Sequence, residues 1–184
     1  MTHPVSLSEA IIDIGDNQFL SHVTHEILIE NKVIGHLLYT EYDWGLANDL
    51  KTARRWLDRD ETYLGRLKKY LLDDSYTIAT ISDIISQGVT GPRKCIIIDD
   101  VSMTPFYMGL GIEKHVIRRL LKESEMKYSF AMCPAWDCLC DRMAIEDEDK
   151  VAEMNKLGLC PIDDYIMIRY LDDEMLNDLI TAEA

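Results

Sequence analysis

Ten residues from Thr104 to Glu113 (TPFYMGLGIE) carry the chain's most chemically suggestive spacing. Gly109 and Gly111 stand between an apolar run, Cys95-Ile96-Ile97-Ile98 ending near Met103, and a helix-patterned stretch, Val116-Ile117-Arg118-Arg119-Leu120-Leu121. A strand feeding a glycine turn that opens a helix leaves several backbone N–H groups without partners. Those groups sit at the positive end of the helix dipole and suit a phosphate or pyrophosphate. Glycine lets the backbone approach such an anion with no Cβ in the way. The plainer reading of the same residues is a tight turn.

Two acids follow the apolar run. Side chains alternate along a strand, so Asp99 shares a face with Cys95 and Ile97 while Asp100 points the other way. A carboxylate on that second face, in a core or against a helix, needs a partner. An apolar strand ending in acids also resembles the metal-binding strand of ATPases, but no G-x-x-x-x-G-K-[ST] accompanies it. Cys133, Cys138 and Cys140 (CPAWDCLC) lack a C-x-x-C pair and a nearby histidine, so they read as buried or idle thiols, and no metal site is assigned. His22, His25, His36 and His115 are scattered, and His3 lies near the chain end, so no His–carboxylate or Cys–His pair follows from spacing. His115, one turn after the glycines, reads as an exposed helical residue, with a phosphate contact as the alternative. Glu146-Asp147-Glu148-Asp149 suits the start of a helix, or an acidic rim that attracts amines.

Elements must position these groups. Thr24–Glu30, the turn Asn31-Lys32 and Val33–Tyr42 read as a two-residue β-hairpin. A helix ends at Met154-Asn155-Lys156-Leu157-Gly158, where glycine supplies the left-handed stop, and Tyr165–Leu171 (YIMIRYL) follows as a strand. Asn48 to Asp74 is helical, with Leu50, Leu57, Leu64 and Leu71 seven apart, as are Trp56, Tyr63 and Tyr70. Asp58 or Asp60 would cap a second helix there. This wide apolar face buries itself in a helical hairpin, or serves as a lid or as a surface for a second copy or a protein partner. Residues 77 to 87 read as another short helix and GVTGP, from Gly88, as a turn. The stretch up to Phe19 is expected to be one helix, capped at Ser6 or Ser8.

The strand–turn–helix resembles the acetyl-CoA-binding motif of the GNAT acetyltransferases, roughly V-x-P-x-Y-R-G-x-G-I-G. Pro105, Tyr107, Gly109, Gly111 and Ile112 match it, with Met103 at its Val position; Met108 replaces an Arg or Gln, and Glu113 replaces a Gly or Ala close to the pyrophosphate. Ile34-Gly35 and the ending at Gly158 match further family features in the family's order, over roughly residues 20–42 and 94–171. The resemblance implies an α/β fold in one domain, 1–184: a mixed, mostly antiparallel sheet flanked by helices, with a helical insertion over about 44–90. It implies acetyl transfer to a primary amine by direct attack. The cofactor would be acetyl-CoA, held by Val101, Ser102, Met103, Met108, Gly109, Leu110, Gly111, Ile112 and Glu113. A bulge in the cofactor strand would aim a backbone N–H near Val101 to Met103 at the thioester carbonyl, and that strand would splay from its neighbour.

The family's base falls at Ile97 or Cys95, and its thiolate-protonating Tyr at Met154, so neither group is in its usual place. Asp99 is the substitute base, and Tyr107 and Tyr165 are the substitute proton donors. The other reading is a degenerate GNAT-like binding or structural protein, acting through its acidic surface or the insertion. Small size, acidity and eroded motifs would suit a viral or mobile-element origin. Cys95 or Cys160 as a covalent relay has no supporting partner.

Composition bounds the rest. The 184 residues, 47% of them hydrophobic, suit one domain with a normal core. No run approaches a membrane span, and no basic-then-apolar leader opens the chain. Five cysteines without a scaffold pattern fit a reducing cytoplasm. A net charge of −14 argues against nucleic acid and leaves room for an amine substrate, small or on a protein.

Overall fold

A computed structural model of the chain describes residues 4–14, 19–46, 94–134, 148–163 and 166–171. The expected helices within 48–87, the proposed partner surface over 48–74, Cys138, Cys140, Glu146, Asp147 and Tyr165 lie outside them.

Strands, not a helix, occupy the start of the chain. β1 (Val5–Leu7) and β2 (Ile11–Ile14) both pair antiparallel with β3 (Leu20–Ile29), one after the other along its outer edge. The expected helix cap at Ser8 is instead the joint between them. Its N–H donates to the Glu26 carbonyl at 2.9 Å, and its Oγ accepts from the Glu26 N–H at 2.9 Å. Valine and isoleucine favour a pleated surface, and an open sheet edge offered partners that no single helix could match.

β3 and β4 (Lys32–Asp43) form the hairpin, but it turns one residue earlier than the spacing implied. Ile29 pairs with Lys32, so Glu30 and Asn31 make the turn, both with positive φ, 50° and 64°. Two left-handed residues are what a two-residue turn needs to match strand twist. A bulge between Ile27 and Leu28 then shifts the register.

β4 pairs antiparallel with β5 (Lys94–Met103). Helix α1 (Ile112–Ser124) crosses over to β6 (Phe130–Pro134), which runs parallel to β5. Parallel neighbours cannot be joined by a tight turn, so a long crossover is needed, and α1 supplies it. Helix α2 (Glu148–Asn155) precedes β7 (Cys160–Asp163) and β8 (Ile166–Tyr170), and β8 returns antiparallel to β6. The order across the sheet is β1, β3, β4, β5, β6, β8, β7, with β2 also on β3. The architecture is the expected α/β type, a mixed and mostly antiparallel sheet with helices. Among the described residues no helix is long and apolar enough to cross a membrane.

Val116, Ile117, Leu120 and Leu121 of α1 join Ile96, Ile98, Val101, Leu37 and Tyr39 in one buried cluster with Leu157 and Leu159, which follow α2. Each such side chain contributes about 1.5–3 kcal/mol by leaving water. The chain leaves α2 through Gly158 (φ 74°), whose N–H donates to the Asn155 carbonyl at 2.8 Å. Arg169 Nη1 reaches the Leu157 carbonyl at 2.9 Å, fixing this exit to β8.

Candidate functional site

The site begins with one extra residue in β5. Tyr39 pairs with Ile98 and Leu38 with Asp100, so Asp99 is the unmatched residue of a bulge. The bulge expected in this strand is thus present, just ahead of the Val101–Met103 stretch whose N–H it would aim. A bulge shifts the alternation of every later side chain. Val101 therefore takes a core position beside Ile98, and Asp100 does not point into the core as strict alternation implied. It shares a face with Asp99, across from Leu38.

At the same place β5 loses a neighbour. Its parallel pairing with β6 covers only Cys95–Phe130, Ile96–Ala131 and Ile97–Met132. Beyond Ile97, β5 continues to Met103 on β4 alone, while β6 continues to Pro134 on β8. Among the described residues no strand covers the second edge of β5 from Ile98 onward. Val101, Ser102 and Met103 thus lie on the open side of a split whose apex is next to Asp99. Gly35 belongs to the same arrangement: a Cβ there would sit 2.2 Å from the Ser102 carbonyl oxygen and 2.8 Å from Met103 Sδ.

Asp99 is bonded across strands. The Thr40 hydroxyl donates to Asp99 Oδ2 at 2.7 Å, and His22 Nδ1 lies 3.0 Å from Thr40 Oγ1. Thr40 is 2% exposed, whereas His22 and Asp99 are exposed as residues. Packing around the carboxyl end still raises the Asp99 pKa above its ordinary value, with Asp100 adding a smaller push. The Thr40 bond and the His22 charge oppose the rise.

Sequence reasoning missed Thr40 and His22. A hairpin turning on Asn31-Lys32 would have set His22 across from Glu41; the true turn and the bulge set it across from Thr40.

The glycine turn is present as expected. A short 3-10 turn, Pro105–Tyr107, leads to Gly109 (φ 73°) and Gly111 (φ 76°), and Gly111 is the residue before α1. A Cβ built on either glycine would meet nothing within 4 Å. These glycines are therefore required by backbone conformation, not by crowding.

Glu113 does not turn away from this loop. It is 3% exposed, and its Oε1 accepts a hydrogen bond from the Gly109 N–H at 3.3 Å. One loop donor is thus already taken by a carboxylate. No Arg or Gln stands at Met108; instead Phe106 (82%), Met108 (53%) and Leu110 (64%) present apolar side chains to solvent. The neighbouring cation, Lys114, is paired to Glu153 of α2.

Tyr107 is half-buried and, like Ile112 and Met154, packs against the α1-side cluster. It therefore does not join Asp99, which is on the other face of the sheet. Ile112 begins α1 below the turn. The thiols are poorly placed as nucleophiles. Cys95 is fully buried, and burial pushes its thiol far above the ordinary range; burial raises Cys160 as well. No group of three or more His, Cys, Asp or Glu able to hold a metal occurs among the described residues.

No protein-family model matches the chain, and no curated protein matches it. Solved structures do superpose on it. Arylalkylamine N-acetyltransferase 2 from Aedes aegypti aligns with a TM-score of 0.45 at 11% identity, over 81% of this chain and 73% of that one. A mutant agmatine N-acetyltransferase in its apo form aligns with a TM-score of 0.43 at 9% identity, over 80% and 76%.

Proposed function

We propose that this chain transfers an acetyl group from acetyl-CoA to a primary amine by direct attack. The observation that carries the reading is the coincidence of three features in β5: the bulge at Asp99, the split from β6 beyond Ile97, and the glycine turn into α1. The split is a slot open to a thioester arm, and the glycine turn supplies backbone donors for a pyrophosphate. The apolar rim of Phe106, Met108 and Leu110 would lie against the parts of the ligand that carry no charge.

In this reading Asp99 removes the proton from the incoming ammonium, and the free amine attacks the thioester carbonyl. A new C–N bond forms and the C–S bond breaks. A backbone N–H within Val101–Met103 stabilises the oxygen as charge builds on it. The thiolate takes a proton from water or from Tyr107, which lies on the α1 side, as would a ligand held by the turn. Tyr165 is the other proposed donor. Buried, protonated Cys95 gives no route through an acyl-enzyme.

A second reading is a binding protein of the same fold that has lost catalysis. The bond from the Gly109 N–H to Glu113 favours it, since the loop is partly satisfied from within. Isothermal titration with acetyl-CoA and with CoA at low salt separates the two. Saturable micromolar binding that disappears in Gly111→Val supports the transferase and justifies a screen of amine acceptors. Absence of binding by the folded protein rejects it.

A further inference from the structure

We infer that Thr40 and His22 are positioning residues for Asp99, linked to it in a one-way hydrogen-bond chain across three strands. The inference rests on the proposed role of Asp99 as base, but its geometry stands apart from that role. Direction follows from counting protons. An ionised carboxylate only accepts, so the Thr40 hydroxyl commits its single proton to Asp99 Oδ2, 2.7 Å away. The Thr40 oxygen then offers only lone pairs to His22 Nδ1 at 3.0 Å. Nδ1 must therefore carry hydrogen, and neutral His22 is held as the Nδ1–H tautomer with Nε2 bare.

Thr40 is 2% exposed, so with both partners in place it is shielded from water. The chain thus has a buried middle and two exposed ends. Binding Oδ2 fixes the rotation of the Asp99 carboxyl and leaves Oδ1 as the oxygen that Thr40 does not engage. A base held this way meets an incoming ammonium in one orientation, which is worth most where a misplacement of about 1 Å is costly. Strand pairing enforces the arrangement: His22 is directly across from Thr40, and the bulge brings Asp99 within reach of the same hydroxyl. Among the described residues, the charged groups acting on Asp99 are His22 on β3 and Asp100 on β5 itself.

The test uses the full chain and three readouts. Nitrogen NMR at about pH 8, where histidine is neutral and carboxylates are ionised, reports the His22 tautomer. Carbon NMR follows the Asp99 carboxyl as pH is lowered, and steady-state kinetics report turnover. Wild type and Thr40→Ser should show the Nδ1–H form; Thr40→Val, which keeps the branched shape but lacks the hydroxyl, should lose it. In Thr40→Val the Asp99 titration should move to higher pH, because a bond favouring its ionised form is gone. Turnover should fall by about tenfold or more through kcat, and Thr40→Ser should restore it.

An Nε2–H tautomer in wild type, or an Asp99 titration unmoved in Thr40→Val, overturns the inference. If Thr40→Val does not fold, His22→Ala at its exposed position replaces it. Because the His22 charge lowers the Asp99 pKa, its removal should also raise the Asp99 titration, and an unmoved titration is equally fatal. If tautomer and titration behave as stated but no amine is acetylated, the chain of bonds stands and the transferase reading falls.

Discussion

Glu113, 3% exposed in the first turn of α1, folds back so that its Oε1 accepts the Gly109 N–H at 3.3 Å. A residue at the helix N-terminus, where a negative charge is favoured, thus occupies the loop that an incoming pyrophosphate would use. In the proposed reading, a ligand entering the loop would have to displace a carboxylate that is close by and permanently attached.

Removing that carboxylate should tighten binding. Glu113→Gly is expected to lower the Kd for CoA by about tenfold or more, equivalent to ~1.4 kcal/mol. Glu113→Gln keeps an acceptor but drops the charge, so its gain should be smaller. Titration calorimetry on the folded variants decides this, and an unchanged Kd in both would show that Glu113 does not compete.

Asp99 should link rate and stability with opposite signs. Its folded pKa is raised, chiefly by burial, so the protonated form is the one that folding favours. That contribution is complete below the unfolded pKa, about 3.9, and is lost as pH rises through the folded pKa. Asp99→Asn should therefore melt higher than wild type at neutral pH, with the advantage vanishing under acid conditions. Its kcat/KM should drop by roughly 10²-fold or more. In wild type, activity should decline with falling pH, starting above the ordinary carboxylate range. Melting curves and pH–rate profiles on both proteins check the pair of signs.

Gly35 should tolerate no side chain. The Ser102 carbonyl oxygen would be 2.2 Å from an added Cβ, and that oxygen belongs to backbone that cannot swing aside. Gly35→Ala should cost about 1–3 kcal/mol in denaturant unfolding. It should also weaken CoA binding, because the displaced β5 segment borders the split. A variant as stable as wild type would mean that the strands shift apart without cost.

Cys95 should be chemically silent. It is fully buried, and its thiol is held protonated. Alkylation followed by mass mapping should leave it unmodified until the chain unfolds. Cys95→Ala should keep the acyl-transfer rate within about twofold of wild type while losing ~1 kcal/mol or more of stability. A trapped acyl-thioester on Cys95 would contradict direct attack.

Where residues near one another in sequence decide the outcome, the chain could be read directly. The apolar run 95–98, the two left-handed glycines before α1 and the glycine exit at Gly158 each follow from local patterns, because periodicity and φ preference are properties of a few adjacent residues. The splay of β5 from β6 was legible only through the resemblance that those patterns carry. What lay beyond reach were relationships set by pairing between distant strands. The first residues read as a capped helix because Ser6 and Ser8 are good caps, but the open edge of β3 made them strands. The face of Asp100 depended on a bulge that no residue type announces. The neighbours of Asp99 depended on a hairpin register set jointly by the shifted turn and by the bulge between Ile27 and Leu28, which supplies the one-residue slip. Thr40 and Asp99 are 59 positions apart, and only the sheet, by setting β4 beside β5, decided that a threonine and a histidine would hold the carboxylate.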